Sequence, residues 1–440
     1  MVHATIPSMP HIQTQFSTLH KKLAWNTGAQ LVARGVSALA SFVITLFIAR
    51  RFGAAGFGDF VKITTYTAFF YLLADFGFNA IYLQHTPPSS NTGTDSAWED
   101  LLGLRLVVSA ILVIAASVIL WLLPRGTEQG YTNFVRIGIV LFTPSIAFQA
   151  IITTTNALFQ KHLRYDLATI ATSVGAAIAV VLIILVTLPF IRGATVMWAT
   201  TVFLIESAVA AGIALSLTRR LQKISHLSFS LVRMRNLFFA SVPLGLTLLF
   251  NLVYFRVDSI ILTLTRTTAE VGIYGLAYKI FELPLVIPTF FMNALYPVML
   301  EVTGDLGKET RKNFSSLIGK TAALLFVASC VVVLIVWFCA PIIAWIRTDF
   351  FAGVAVLRVL SLGLPFFFLS SLTMWTLIAK KQQTLLAVVY CVCMFVNAGL
   401  NWIFIPKFGY MAAAWITVAS EGLVLLLSSL SVLRILAKQK

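Results

Sequence analysis

Charge is what this 440-residue sequence has least of: Asp, Glu, Lys and Arg together make up 11% of it, against roughly 25% in an ordinary soluble domain. With 59% hydrophobic residues and a mean hydropathy of +0.92, that scarcity excludes a string of soluble domains. No connection between the apolar runs is long enough to fold independently. Histidine is absent from every apolar run: all six (His3, His11, His20, His85, His162 and His226) fall in the N-terminal stretch or in connections. A buried imidazole metal centre or proton relay therefore has no residues to use. The four cysteines lie inside apolar runs, and Cys391 and Cys393 point to nearly opposite sides of a helix, so neither a disulfide nor a metal site is expected. The first 22 residues, "MVHATIPSMPHIQTQFSTLHKK", lack an apolar core and a small-residue cleavage site. They read as a short disordered tail with no cleaved signal peptide.

What is present is a series of hydrocarbon-length segments. A bilayer core needs about 20 mostly apolar residues per helix, and twelve such spans are expected: 25–49, 58–84, 99–123, 131–158, 165–190, 194–217, 237–265, 271–300, 314–345, 353–379, 383–405 and 409–436. The tail, the even-numbered connections and the C-terminus hold more than twice as many Lys and Arg as the odd-numbered connections. The positive-inside bias then puts both termini in the cytoplasm. The most basic connection, "TRRLQKISHLSFSLVRMRN" (218–236), links two sets of six spans. It reads as a topology-setting connector, not a nucleic-acid site, and the net charge of +16 has the same origin. The expected organisation is a tail (1–22), a first lobe (23–217), a cytoplasmic linker (218–236) and a second lobe (237–440).

A shift of 214 residues lays the second span over the eighth. "GDFVKITTYTAFFYLLADFGFNAIYLQ" (58–84) faces "GIYGLAYKIFELPLVIPTFFMNALYPV" (272–298), matching Gly58 with Gly272, Asn79 with Asn293, Ala80 with Ala294 and Tyr82 with Tyr296. Five identities in 27 positions are modest, but they fall at the offset expected for two six-helix halves. An even number of spans gives both halves the same orientation. Transporters built from such parallel repeats bind substrate between the halves and rock one against the other.

Ionisable groups inside the spans mark candidate sites, because each is costly there. The acids are Asp75, Glu206, Asp258, Glu282 and Glu421; the bases in or near spans are Arg34, Lys62, Arg105, Arg136, Arg256, Lys279 and Arg358. Arg105, Arg136 and Arg358 lie near predicted ends and are expected to snorkel. Counting from the connecting turns puts Arg256 level with Lys279, and Arg34 level with Asp75. Lys279 and Glu282 share a helical face and partly neutralise each other. Arg256 and Asp258 stand about 200° apart around their helix, so both cannot face one cavity. Arg256 is expected to serve a polar cavity, and Asp258 to be a counter-charge to a base on another helix. Ion pairing that merely fastens helices remains open for the pairs with acids. Bases outnumber acids, which suits an anionic substrate. Pro144, Pro284 and Pro288 are expected to kink their spans.

The segments "ARGVSALASFVITLFIARRFGAAGFGDF", "LLADFGFNAIYLQH", "PLGLTLLFNLVYFRVDSIIL" and "AEVGIYGLAYKIFELPLVIPTFFMNALYPVML" resemble the polysaccharide-export (Wzx-like) flippases. These belong to the MOP superfamily, which also holds the MATE drug exporters and the lipid II flippase. The resemblance implies an all-α, V-shaped, MATE-like membrane fold of about twelve helices in two pseudo-symmetric lobes. It implies a non-enzymatic carrier in the bacterial cytoplasmic (inner) membrane, without cofactor, that moves undecaprenyl-diphosphate-linked oligosaccharide from the inner to the outer leaflet. Its partners would be that lipid-linked oligosaccharide, the bilayer, and the polysaccharide polymerase and other export-pathway proteins. The cationic cavity of the family would correspond to Arg34, Lys62, Arg256 and Lys279, with Asp75, Asp258 and Glu282 as structural or coupling carboxylates. Two rivals stand beside it. A MATE-type multidrug or cation antiporter would favour acids in its cavity, and a membrane polymerase or glycosyltransferase would want a longer extracytoplasmic loop.

Overall fold

The computed structural model describes residues 10–85, 96–188, 191, 193–221, 230–304 and 308–438. Lipid satisfies no backbone hydrogen bond, so each apolar run closes its own as helix. In chain order these are α1 (Pro10–Asp75), α2 (Phe78–His85), α3 (Ser96–Leu122), α4 (Asn133–Phe142), α5 (Ser145–Lys161), α6 (Tyr165–Thr187), α7 (Val196–Thr218), α8 (Leu231–Thr265), α9 (Thr268–Glu282), α10 (Val286–Gly304), α11 (Lys308–Cys339), α12 (Ile342–Ile346), α13 (Gly353–Ser361), α14 (Leu364–Ala379) and α15 (Gln383–Lys438).

Among the described residues, ten helical runs are long and apolar enough to cross a membrane. Two of them are double length. α1 turns back on itself at Gly53 (φ 69°, ψ −173°) and α15 at Gly409 (φ 63°, ψ −148°), backbone angles that need glycine. The ten runs therefore make the twelve legs expected from the sequence, with one residue serving as the connection at 53 and at 409. α1 already begins at Pro10, inside the stretch expected to be a disordered tail. Pro10 is well suited to a first helical position, and no later proline interrupts the run up to the kink.

The kinks follow the prolines only in part. Pro144 separates α4 from α5, and Pro284 sits in a single 3-10 turn, Leu283–Leu285, between α9 and α10. Pro288 lies inside α10 without breaking it, while the break between α1 and α2 falls at Phe76 (φ 40°) and Gly77 (φ 74°), where there is no proline.

Helices α1 to α7 pack mainly on one another and α8 to α15 likewise, with α1 against α8 and α9 joining the two lobes. At the end of the bundle that carries the kinks, the lobes touch backbone to backbone. A Cβ on Gly58 would collide with the Thr268 carbonyl oxygen, and a Cβ on Gly272 with the Ala54 carbonyl oxygen. These are the glycines matched by the 214-residue repeat, and the same offset carries Ala54 onto Thr268. The crossing is thus symmetric about its own centre, as two copies of one ancestral helix meeting face to face would be. The likeness fades farther along: the second span breaks at 76–77 and the eighth at 283–285, and Asn79 donates to the Thr153 carbonyl at 3.0 Å whereas Asn293 is exposed.

The lobes also meet at the opposite end. Arg233 of α8 pairs with Asp100 of α3 at 3.0 Å, Phe238 stacks on Phe76 with ring centroids 5.6 Å apart, and Gly245 lets α8 pass close to the Phe76 ring.

Candidate functional site

Between these closures lies a cavity of about 240 Å3. The first lobe contributes Ser41, Thr45, Thr64 and Thr65, and the second contributes Arg256, Ser259, Lys279 and Glu282. Ser37, Ser41 and Thr45 recur every four residues in α1, which sets them on one helical face. The Thr45 and Thr64 hydroxyls donate to carbonyls one turn back, Ser41 O at 2.7 Å and Phe60 O at 2.9 Å. Hydroxyls held in this way retain acceptor capacity toward a ligand.

The two bases expected to be level do meet, and a carboxylate joins them. Arg256 Nη2 donates to Glu282 Oε1 at 2.9 Å, and Lys279 Nζ to Glu282 Oε2 at 3.4 Å. The Arg256 guanidinium also lies over the Tyr278 ring, 5.6 Å from its centroid. All three charged side chains remain partly exposed, at 32%, 41% and 27% for Arg256, Lys279 and Glu282, so none is sealed off from the cavity. The group has one formal positive charge in excess. Its carboxylate occupies the position between two cations that an external anion would take.

The remaining sequence candidates separate from this group. Lys62 does not line the cavity. It is 1% exposed in the closure above it, donating to Gly130 O at 2.9 Å and Thr268 Oγ1 at 2.7 Å. The physical reason is that its ammonium is taken up by acceptors of the α3–α4 connection and the start of α9, with the Asp59 charge one turn back on α1. The connection docks there on the end of α8 and the start of α9 through Gly130 N to Thr263 O at 2.8 Å and Thr268 N to Glu128 O at 3.0 Å. Arg34 lies on the α1 backbone, but its side chain is outside the described residues. Among the described residues Asp75 pairs with Arg105, at 2.5 Å.

That pair also overturns the expectation that Arg105 snorkels. Its guanidinium is fully buried, donating to Thr154 Oγ1 at 3.2 Å and lying over the Phe78 ring, because the break at 76–77 turns Asp75 and Phe78 toward α3. Arg136 is likewise buried, against Leu123 O at 2.6 Å and Tyr131 O at 2.9 Å. Removing one member of a buried ion pair leaves an uncompensated charge, at a cost of about 3–5 kcal/mol. Arg105 is the fully buried member and Asp75 keeps 34% exposure, so Asp75→Ala, which strands the guanidinium, is expected to lower folded protein levels and the melting temperature in detergent sharply. Conversion of both partners, Arg105→Leu with Asp75→Leu, should recover much of the loss. If the single substitution melts like the wild type, the pair contributes nothing to the fold.

Asp258 does turn away from the cavity, but its hydrogen-bond partners among the described residues are not bases. It accepts from the Tyr274 hydroxyl and from Ser259 N at 2.6 Å, and Thr417 Oγ1 lies 3.4 Å from the same tyrosine oxygen. A phenol donor stabilises a buried acid without burying a second charge. Glu421 is fastened in the same manner, by Tyr254 at 2.9 Å and by Ser370, tying α8, α14 and α15 together.

A second cavity, of about 330 Å3, opens in the first lobe and shares Ser41, Thr64 and Phe203 with the central one. Sequence reasoning passed over these hydroxyl-bearing positions. The four-residue spacing of Ser37, Ser41 and Thr45 was the available signal.

The family model described as polysaccharide biosynthesis protein matches residues 23–303, and the MatE model matches residues 243–403. None of the curated proteins matches the chain. Among solved structures, an inward-facing multidrug resistance MATE family transporter of the MOP superfamily superposes with a TM-score of 0.73 at 13% identity, covering 92% of this chain and 95% of that one. The lipid II flippase MurJ in an inward closed conformation gives 0.70 at 16%, covering 93% and 87%. A MOP superfamily transporter from Pyrococcus furiosus, described as having a binding pocket of reversed polarity, gives 0.57 at 15%, covering 94% and 95%.

Proposed function

Because the chain belongs to the polysaccharide biosynthesis protein family, a membrane carrier group of the MOP superfamily, we propose that it flips undecaprenyl-diphosphate-linked oligosaccharide from the inner to the outer leaflet of the bacterial cytoplasmic membrane. The observation that carries this reading is the pair of bases, Arg256 and Lys279, on the wall of the cavity between the lobes, with one carboxylate between them. A diphosphate displaces Glu282 and takes charge-assisted bonds from both cations. The hydroxyl-lined first-lobe wall keeps the glycan hydrated, and the polyprenyl tail stays in lipid. Both termini and the 218–236 linker are cytoplasmic on the positive-inside count, which makes the end with the glycine crossing the outer closure. The first lobe (23–217) and second lobe (237–440) then rock about the cavity in alternating access. A cation exporter would gain nothing from an excess of positive charge at this point.

Cells lacking the protein are expected to accumulate lipid-linked oligosaccharide of unchanged length on the cytoplasmic leaflet. Accumulation of single repeat units already exposed on the outer leaflet would instead indict a polymerase.

A further inference from the structure

The first-lobe cavity differs from the central one in chemistry. Among the described residues its polar lining is Ser37, Ser41, Thr64, Tyr71, Gln149, Glu206 and Ser207, with no basic residue among them. The aromatic faces of Phe142, Phe203 and Tyr71 make up much of the rest. Among the described residues, neither the Glu206 carboxyl nor the Gln149 amide has a side-chain hydrogen bond, although both are half-buried. The Tyr71 hydroxyl is engaged by Ser145 at 2.6 Å, which fixes the ring as one wall. A carboxylate only accepts, and an amide both donates and accepts. Placed beside aromatic rings, the two are matched to a ligand that carries many hydroxyl donors around an apolar C–H face, which is the chemistry of a sugar ring. The shared residues Ser41, Thr64 and Phe203 join this cavity to the Arg256–Lys279 group. A sugar bonded directly to a diphosphate held by those cations would reach it.

We propose that the first-lobe cavity is a carbohydrate subsite, in which Glu206 and Gln149 take hydroxyl hydrogen bonds from the sugar next to the diphosphate and set the glycan selectivity of the carrier. The inference rests on the functional reading above and deepens it. A metal-ion role for Glu206 fits less well, since a hard cation seeks six or more oxygen ligands with several carboxylates among them, and here a single carboxylate stands among aromatic rings.

The test compares two ligands on purified protein in lipid nanodiscs: bare undecaprenyl diphosphate, and the lipid-linked oligosaccharide extracted from cells lacking this protein. The wild type is expected to bind the glycosylated lipid roughly tenfold or more tightly than the bare one, the worth of one charge-assisted hydrogen bond. Glu206→Ala should erase that margin and leave the affinity for bare undecaprenyl diphosphate unchanged. Glu206→Gln, which keeps one acceptor oxygen, should retain part of the margin and controls for folding. Arg256→Ala should weaken both ligands together. If the glycan adds nothing to wild-type binding, or if Glu206→Ala weakens the bare lipid equally, the subsite is refuted while the diphosphate reading stands. If Glu206→Gln leaves both affinities intact and removes only a dependence of flipping on the pH gradient, Glu206 is a proton site and the proposal fails. A wild type that binds neither lipid refutes the flippase reading and the subsite with it.

Discussion

Leucine at Gly272 is expected to hold the outer end of the bundle open and to bring flipping to background. The side chain would have to enter the space occupied by the Ala54 carbonyl oxygen, and Gly58 N is the next nearest group. Backbone atoms of two packed helices cannot swing aside as a flexible side chain can, so the crossing must separate. Overpacking of a tight contact costs about 1–3 kcal/mol even where side chains can yield. An alternating carrier keeps its states within a few kcal/mol of one another, so a penalty of about 3 kcal/mol shifts the closed-to-open ratio more than a hundredfold. The pseudo-symmetry adds a sharper expectation. Gly58→Leu meets the Thr268 carbonyl in the mirrored position and should give the same phenotype. In a cysteine-free background, a cysteine at Phe57, which is 2% exposed, should be inert to a membrane-impermeant maleimide and become reactive when either leucine is present. Unchanged labelling together with normal flipping would mean that this crossing is not a moving closure.

Most of the fold was legible because membrane spans announce themselves by length and composition alone. The expected boundary of 353–379 coincides with the start of α13 and the end of α14; the expected gap at 50–57 brackets the kink at Gly53, and that at 406–408 stops one residue short of the kink at Gly409. What stayed hidden depends on rotation and depth, which hydropathy does not encode. The break follows directly at Phe76–Gly77, and the Asp75 carboxylate there meets Arg105 on α3, a contact that counting residues along α1 does not reveal. Arg105 was expected to snorkel because it lies two turns from a helix end, yet a fixed carboxylate, a threonine hydroxyl and a phenyl face hold it inside. Lys62 was read from a motif and a net charge, neither of which reports that its neighbours are groups docked at the end of the bundle that carries the glycine crossing. Arg256 and Lys279 were placed together correctly because they flank a two-residue turn in straight helices, where counting residues measures depth. The repeat was legible as a weak pattern, and its meaning lay in where the two glycines touch.

Within the Arg256, Lys279 and Glu282 group, Arg256→Ala and Glu282→Gln are expected to fail in opposite ways. Glu282 satisfies both cations in the resting cavity at 2.9 and 3.4 Å, so an arriving diphosphate competes with it and, on leaving, is replaced by it. Arg256→Ala removes the excess positive charge and leaves Glu282 and Lys279 to neutralise each other. The loss of a charge-assisted bond of about 1.5–3 kcal/mol should weaken undecaprenyl diphosphate binding roughly tenfold to a hundredfold, and flipping at normal protein levels should disappear. Glu282→Gln keeps an acceptor oxygen but removes the competing charge. Binding should therefore tighten while turnover falls, because no carboxylate remains to recapture the two cations when the diphosphate departs. Affinity and single-turnover flipping measured on the same proteoliposomes separate the two outcomes: a weaker ligand with little flipping for Arg256→Ala, and a tighter ligand with slow release for Glu282→Gln. Should Glu282→Gln weaken binding as Arg256→Ala does, the carboxylate positions the cations and does not compete for them. If Arg256→Ala still flips at the wild-type rate, the three charges only fasten α8 to α9, and the anion must be held elsewhere in the cavity.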